Sequence, residues 1–179
     1  VLINFLNMKI TKTNFKDLLI IQSKKYDDNR GYFRELYLEK IIKKKLNFIV
    51  TSKSKQNVVR GLHLQLKKPQ GKYVSVIKGQ IFDVAVDCRI NSDTFGKHFK
   101  IFLDDQDCKS IYIPKGFAHG FMGMKKENIV VYGCDNYRNK ESETGIIWND
   151  PFLNIKWPIK KPIISDKDKK NKSFQFYFD

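Results

Sequence analysis

Cysteine is scarce: Cys88, Cys108 and Cys134 are the only three in 179 residues, and no two form a C-x-x-C pair. An odd, scattered set argues against a disulfide framework and points to reduced thiols in the cytoplasm. Long apolar runs are missing too, since none reaches the roughly 18 residues of a membrane span. The opening residues 1–7 are too short for a signal peptide and lack a basic start, so Met8 reads as the native start and 1–7 as an upstream remnant. There is no G-x-G-x-x-G and no alternation of helix with strand, which argues against a dinucleotide-binding α/β fold. With no internal repeat and no boundary of composition, residues 1–179 read as one domain.

Histidine is equally sparse, with three in all. Metal-binding barrels usually offer His-x-His and a Glu before a later histidine. Here the first motif is His63-Leu64-Gln65, one ligand short, and neutral Gln is a poor substitute for imidazole at a transition metal. No metal and no cofactor are expected.

Positive charge is abundant, at a formal +15. The lysines are scattered, however, and no basic helix, zinc-finger spacing or aromatic-glycine pattern accompanies them, so nucleic acid is not the expected partner. Such a surface suits an anionic small substrate, which it would draw toward a site.

Strand signals dominate the rest. Residues 9–11 and 18–21 read as strands, followed by a turn at Asp27-Asp28-Asn29-Arg30-Gly31. Residues 39–45 are the one early helix candidate. Residues 73–77 and 80–87 flank Lys78-Gly79 as a hairpin, and residues 98–103 and 110–113 flank an Asp-rich turn as a second. Residues 117–122 and 128–132 give two more strands. The charged stretch 166–172 reads as a loop before a last strand at 174–178. Short strands at near-regular spacing imply an antiparallel sandwich or barrel.

The stretch Val59-Arg60-Gly61-Leu62-His63-Leu64-Gln65 stands out, because buried strands do not ordinarily carry Arg and His so close together. On an ideal strand the two would face opposite ways. A bulge near Gly61 would let both reach one cleft. Without a metal, His63 is best used as a general base near neutral pH, although a core histidine bonded to a carbonyl would look the same. Asp83, inside an apolar run, and Asp168 are the candidate carboxylates to orient it. Tyr132, ending the run Ile129-Val130-Val131, is a candidate proton donor or a plain core aromatic. Arg60, Lys72 and Arg30 are cations able to hold a diphosphate or polarise a ketone. His119 enters its strand behind the fixed turn Pro114-Lys115-Gly116.

The ordered set Arg30-Gly31-Tyr32-Phe33, Arg60-Gly61-Leu62-His63, Pro69-Gln70-Gly71-Lys72, Phe82-Asp83-Val84-Ala85-Val86-Asp87, Ile113-Pro114-Lys115-Gly116-Phe117-Ala118-His119-Gly120, Trp148-Asn149-Asp150-Pro151 and Ser165-Asp166-Lys167-Asp168 resembles the dTDP-4-dehydrorhamnose 3,5-epimerases. The resemblance runs from about Met8 to Asp168. It implies an all-β, cupin-type jelly-roll barrel of antiparallel strands with a few short helices, a homodimer, and no metal. It implies isomerase activity on a nucleotide-diphosphate 4-keto-6-deoxy sugar in deoxysugar biosynthesis, with inversion at C3 and C5. His63 matches the family's base, Asp168 its dyad partner, Lys72 its strand lysine and Tyr132 its proton donor. Arg30, Phe33, Glu35, Arg60 and His119 match positions lining the substrate cleft, and Tyr137 and Arg138 fall where a further tyrosine is usual. Phe48 and Val50 stand where the family often has Gln and Asn near the nucleotide. These departures leave open an enzyme acting at one carbon or on another nucleotide. A non-catalytic sugar-binding cupin and a metal-dependent cupin oxygenase are the alternatives from other classes.

Overall fold

The computed structural model describes residues 8–178, so the expectation about residues 1–7 lies outside the described residues. The first half of the chain supplies β1 (Lys9–Lys12), β2 (Leu19–Gln22), β3 (Lys25–Asp28), β4 (Gly31–Arg34), α1 (Glu39–Ile42), β5 (Phe48–Lys55), β6 (Val59–Gln65), β7 (Lys72–Lys78) and β8 (Gln80–Asp87). The second half adds β9 (His98–Asp104), β10 (Lys109–Ile113), β11 (Phe117–Gly123), β12 (Glu127–Cys134), β13 (Glu143–Gly145), α2 (Asp166–Lys169) and α3 (Phe174–Phe178). The strands form a six-stranded sheet in the order β1-β2-β10-β7-β12-β5 and a five-stranded sheet in the order β13-β6-β11-β8-β9, with β3 and β4 as a separate ribbon. All pairings between these strands are antiparallel. The result is the antiparallel double-layered barrel that the strand pattern implies, and the cupin-type jelly roll that the resemblance implies.

Two expected hairpins are not hairpins. β7 and β8 meet at Lys78-Gly79 yet belong to different sheets, and so do β9 and β10 around the Asp-rich turn. Each sharp turn carries the chain from one layer to the other. Gly79 makes this possible at the first, with φ +82 and its amide donating to Asp105 Oδ2 at 2.8 Å. A turn signal says that the chain reverses, and it does not say which sheet receives the next strand.

Alternating apolar residues fill the space between the layers. Val74, Val76, Ile81, Ala85, Leu103, Ile111, Phe117, Phe121 and Val130 meet there, with Phe15 and Leu18 closing one end. The other face of the five-stranded sheet is also apolar, through Val59, Leu62, Val84, Val86 and Met122. The C-terminal segment covers it with Ile146, Leu153, Ile155, Trp157 and Phe174. This need for cover explains two further departures from the sequence reading. Residues 174–178 form helix α3 instead of a strand, with Phe174 buried, and residues 166–169 form α2 within the expected loop. Burial of several large side chains here, at roughly 1.5–3 kcal/mol each, holds the C-terminal segment against the sheet.

The expected bulge in β6 is present. His119 pairs with His63 and Phe121 with Arg60, so two steps on β11 oppose three on β6. Gly61 sits in this bulge at φ +119, and a Cβ there would lie 2.5 Å from Gly120 Cα and 2.7 Å from the His119 carbonyl oxygen. Only glycine fits, because both the dihedral and the close backbone approach exclude a side chain. Gly61→Ala is therefore expected to lower the unfolding free energy by at least about 2 kcal/mol, measured by chemical denaturation. A variant as stable as the parent would contradict this account of the bulge.

Candidate active site

A cleft of about 690 Å³ is lined by residues of both sheets and of the segment 163–168. The bulge turns both unusual residues of β6 toward it, so Arg60 and His63 line the same cleft. His63 Nε2 lies 2.7 Å from Asp168 Oδ1, and the Gly61 amide donates to Asp168 Oδ2 at 3.3 Å. Asp168 is itself fixed by the start of α2, where its amide donates to the Ser165 hydroxyl at 3.1 Å. Burial pushes the Asp168 carboxyl up, but the bonds and charge from His63, the Gly61 amide and Ser165 outweigh it and hold the group below the usual carboxylate value. Of the two candidate carboxylates, Asp168 is the one that meets His63.

Asp83 has another partner. It lies 2.8 Å from His119 Nε2, and both side chains are buried. Two His–Asp pairs thus stand on neighbouring strands, since His119 and His63 are cross-strand partners.

From the opposite sheet, β12 brings Tyr132 and β7 brings Lys72. The Tyr132 ring lies 6.2 Å from the His119 ring, and its hydroxyl is 3.0 Å from Ser52 Oγ on β5. Burial pushes the Tyr132 phenol well above its ordinary value, only partly relieved by Ser52 and Arg60, so it keeps its proton at neutral pH. Burial likewise pushes the Lys72 ammonium below the ordinary lysine value, against the pull of Cys134, Glu143 and Asp83. Among the described residues Lys72 has no carboxylate at ion-pair distance. Arg60 donates to Ser54 Oγ at 2.9 Å and to the Lys53 carbonyl at 3.1 Å.

At the mouth, Glu143 of β13 is gripped twice, by Arg138 Nε and by Lys167 Nζ of α2, both at 2.6 Å. Those bonds outweigh burial and hold its carboxyl at about 2. Tyr137 is exposed and does not itself line the cleft, but its ring stacks at 5.8 Å on Phe48, which does. Phe48 and Val50 both line the cleft.

Of the other residues matched by resemblance, Arg30, Phe33 and Glu35 do not line the cleft of this chain. Arg30 is exposed and folds onto its neighbour Asp28 at 2.5 Å, and Phe33 is 57% exposed on the β3–β4 ribbon. Ser52 and Glu143 are site residues that the sequence reading passed over. Glu143 carries no local signal, while Ser52 could have been found from β5 alternation, because 48, 50, 52 and 54 share one face. Among the described residues, no group of three or more His, Cys, Asp or Glu is arranged to hold a metal ion.

The family model for dTDP-4-dehydrorhamnose 3,5-epimerase matches residues 12–175. The chain belongs to this family. Over 174 residues it is 41% identical to the dTDP-4-dehydrorhamnose 3,5-epimerase of Shigella flexneri, covering 93% of this chain and 96% of that protein. Over 169 residues it is 43% identical to the enzyme of that name from Methanothermobacter thermautotrophicus, covering 90% and 91% of the two chains. The crystal structure of the dTDP-6-deoxy-D-glucose-3,5-epimerase from Legionella pneumophila, in complex with dTDP-4-keto-L-rhamnose, superposes with a TM-score of 0.90 at 38% identity, covering 94% of each chain. The chain is thus an epimerase of the isomerase class.

The mouth cluster gives the protein an acid-sensitive element. A carboxyl whose folded pKa is depressed stabilises the fold above its unfolded pKa, and that contribution fades as pH falls toward the folded value. For Glu143 the window runs from its ordinary 4.5 down to about 2. The unfolding free energy is expected to fall across this range, and Glu143→Gln to make the decline shallower, as measured by denaturant titrations at successive pH values. An unchanged slope would mean that the two ion pairs contribute nothing to stability.

Proposed function

We propose that this epimerase inverts C3 and C5 of a nucleotide-linked 4-keto-6-deoxy sugar of the dTDP-4-dehydro-6-deoxy-glucose type, with His63 as base and Tyr132 as acid. One observation carries the reading: a histidine held by a buried aspartate and a protonated phenol line one cleft from opposite sheets.

The chemistry follows from the ketone. A C–H bond next to a carbonyl is weakly acidic, because its electron pair can move into the C=O to give an enolate. His63 takes the C3 proton and becomes an imidazolium that Asp168 stabilises. The enolate oxygen at C4 is neutralised by Lys72, with His119 beside it. Tyr132 then delivers its proton to C3 from the other face, the double bond returns to C4=O, and the configuration is inverted. His63 loses its proton to water and Tyr132 regains one, and the same cycle at C5 completes the reaction. Each inversion therefore leaves one solvent-derived hydrogen on carbon. Arg60 and Arg138 are the cleft cations for the diphosphate.

The reading includes a homodimer. β5 lies at the edge of its sheet and exposes Ile49 and Val50, an open row of backbone groups ready to pair. The β3–β4 ribbon exposes Tyr32 and Phe33, and an isolated two-stranded ribbon is marginally stable alone. We infer that the ribbon of one copy docks on the other and brings Arg30, Phe33 and Glu35 to the neighbouring cleft. The three cysteines, all unpaired and buried, support a reducing compartment such as the cytoplasm. No helix among the described residues is long and apolar enough to cross a membrane.

In deuterated water the protein should place deuterium at both C3 and C5 of dTDP-4-dehydro-6-deoxy-glucose, read by proton NMR. His63→Ala and Tyr132→Phe should each slow this by roughly 10²- to 10⁴-fold. Exchange by His63→Ala at the parent rate would refute the assignment, and label at a single carbon would make the protein a mono-epimerase. Sedimentation should give twice the 21.1 kDa chain mass, and a monomer at micromolar concentration would exclude the shared site.

A further inference from the structure

The apolar end of the cleft has a consequence for substrate choice. Phe48, Val50, Ser52 and Ser54 share one face of β5. Ser52 is bonded to Tyr132, which places this half of the strand beside the proposed acid, and Ser54 accepts from Arg60. Phe48 lies four residues away, roughly 13 Å along the strand, and stacks on Tyr137 with only 7° between the ring planes. Val50, between the two ends, is 45% exposed and lines the same cleft.

Three amide side chains near this pair hold the protein's own backbone. Gln65 donates to the Lys68 and Tyr137 carbonyls and accepts from the Asn139 amide. Asn136 donates to the Lys68 and Pro69 carbonyls and accepts from the Tyr137 amide. Gln70 donates to the Asn136 carbonyl at 2.7 Å. These amides hold the loop that carries Tyr137, where base recognition through hydrogen bonds would need them turned toward the ligand.

We infer that this end of the cleft seats the base of a nucleoside diphosphate by stacking and apolar contact on Phe48, Tyr137 and Val50, without reading its hydrogen-bonding edge. The inference rests on the nucleotide-sugar reading above. Its consequence is tolerance: every base has a π-face, so a stacking platform holds different bases almost alike. A site that hydrogen-bonds the edge behaves otherwise, because a reversed donor–acceptor pattern leaves buried groups unpaired.

Uracil and cytosine have nearly the same shape and reversed edge patterns, which makes them the decisive pair. Calorimetric titration of the full chain with dTDP, dUDP and dCDP should give dissociation constants within tenfold of one another. Phe48→Ala should weaken all three by a similar factor, roughly 5- to 150-fold, leave inorganic pyrophosphate binding unchanged, and be rescued by Phe48→Tyr. A preference of tenfold or more for dUDP over dCDP, or nucleotide binding indifferent to Phe48→Ala, overturns the inference and leaves the epimerase reading standing. Equal binding of all three without deuterium exchange into any 4-keto sugar would sink the epimerase reading and keep this one.

Discussion

The Asp168 carboxylate ties together parts of the chain that are more than a hundred residues apart. One oxygen meets the His63 ring and the other accepts from the Gly61 amide inside the bulge. Both bonds require α2 to lie over the five-stranded sheet. That placement follows from the C-terminal segment, whose Ile146, Leu153, Trp157 and Phe174 cover the outer apolar face of that sheet. His63, the proposed base, is thus oriented by a contact that exists only when the whole outer layer has packed. An unpaired carboxylate so deeply buried would be costly, so the histidine and the bulge are as necessary to α2 as α2 is to them.

The bulge itself answers a geometric problem. A strand alternates its side chains, so residues 60 and 63 of a regular β6 would serve different faces. One extra residue opposite β11 changes the phase between them. Its cost in regular pairing falls at Gly61, where the backbone approaches Gly120 too closely for any side chain. The same feature that aims Arg60 and His63 also presents the Gly61 amide to Asp168.

Much of this was legible in the sequence, and the limits have physical causes. Strand positions follow from local alternation, which is why residues 73–77, 80–87 and 117–122 fall inside the observed β7, β8 and β11. Sheet membership depends on packing between distant segments, so the turn at Lys78-Gly79 looked like a hairpin when it joins two layers. The phenylalanine-rich end, residues 174–178, has the composition of a strand, and only the aromatic cluster of Phe95, Phe152 and Phe174 explains why it is helical and inserted. The bulge was legible because an Arg and a His on one short apolar strand are otherwise hard to reconcile. The pairing of Asp83 with His119 and the grip on Glu143 were not, since neither has any sequence spacing that announces it. Arg30, Phe33 and Glu35 illustrate a further limit: a motif identifies a residue's type and not whether the fold of one chain brings it to that chain's cleft.

Charge within the cleft links this architecture to its chemistry. The formal net charge of the chain is +15, but inside the cleft the carboxylates are matched: Asp168 by His63, and Glu143 by Arg138 and Lys167. Arg60 and Lys72 are left without a carboxylate at ion-pair distance among the described residues. Burial disfavours the charged form of Lys72 while the cleft holds no anion. Negative charge developing on an oxygen nearby reverses that balance, because it restores the partner that burial has removed. In the proposed reaction the stabilisation is then greater in the enolate than in the neutral ketone, which is the difference that accelerates a reaction. A lysine already paired with a carboxylate would have had less of this difference to give, so the lack of a close partner supports the role proposed for Lys72.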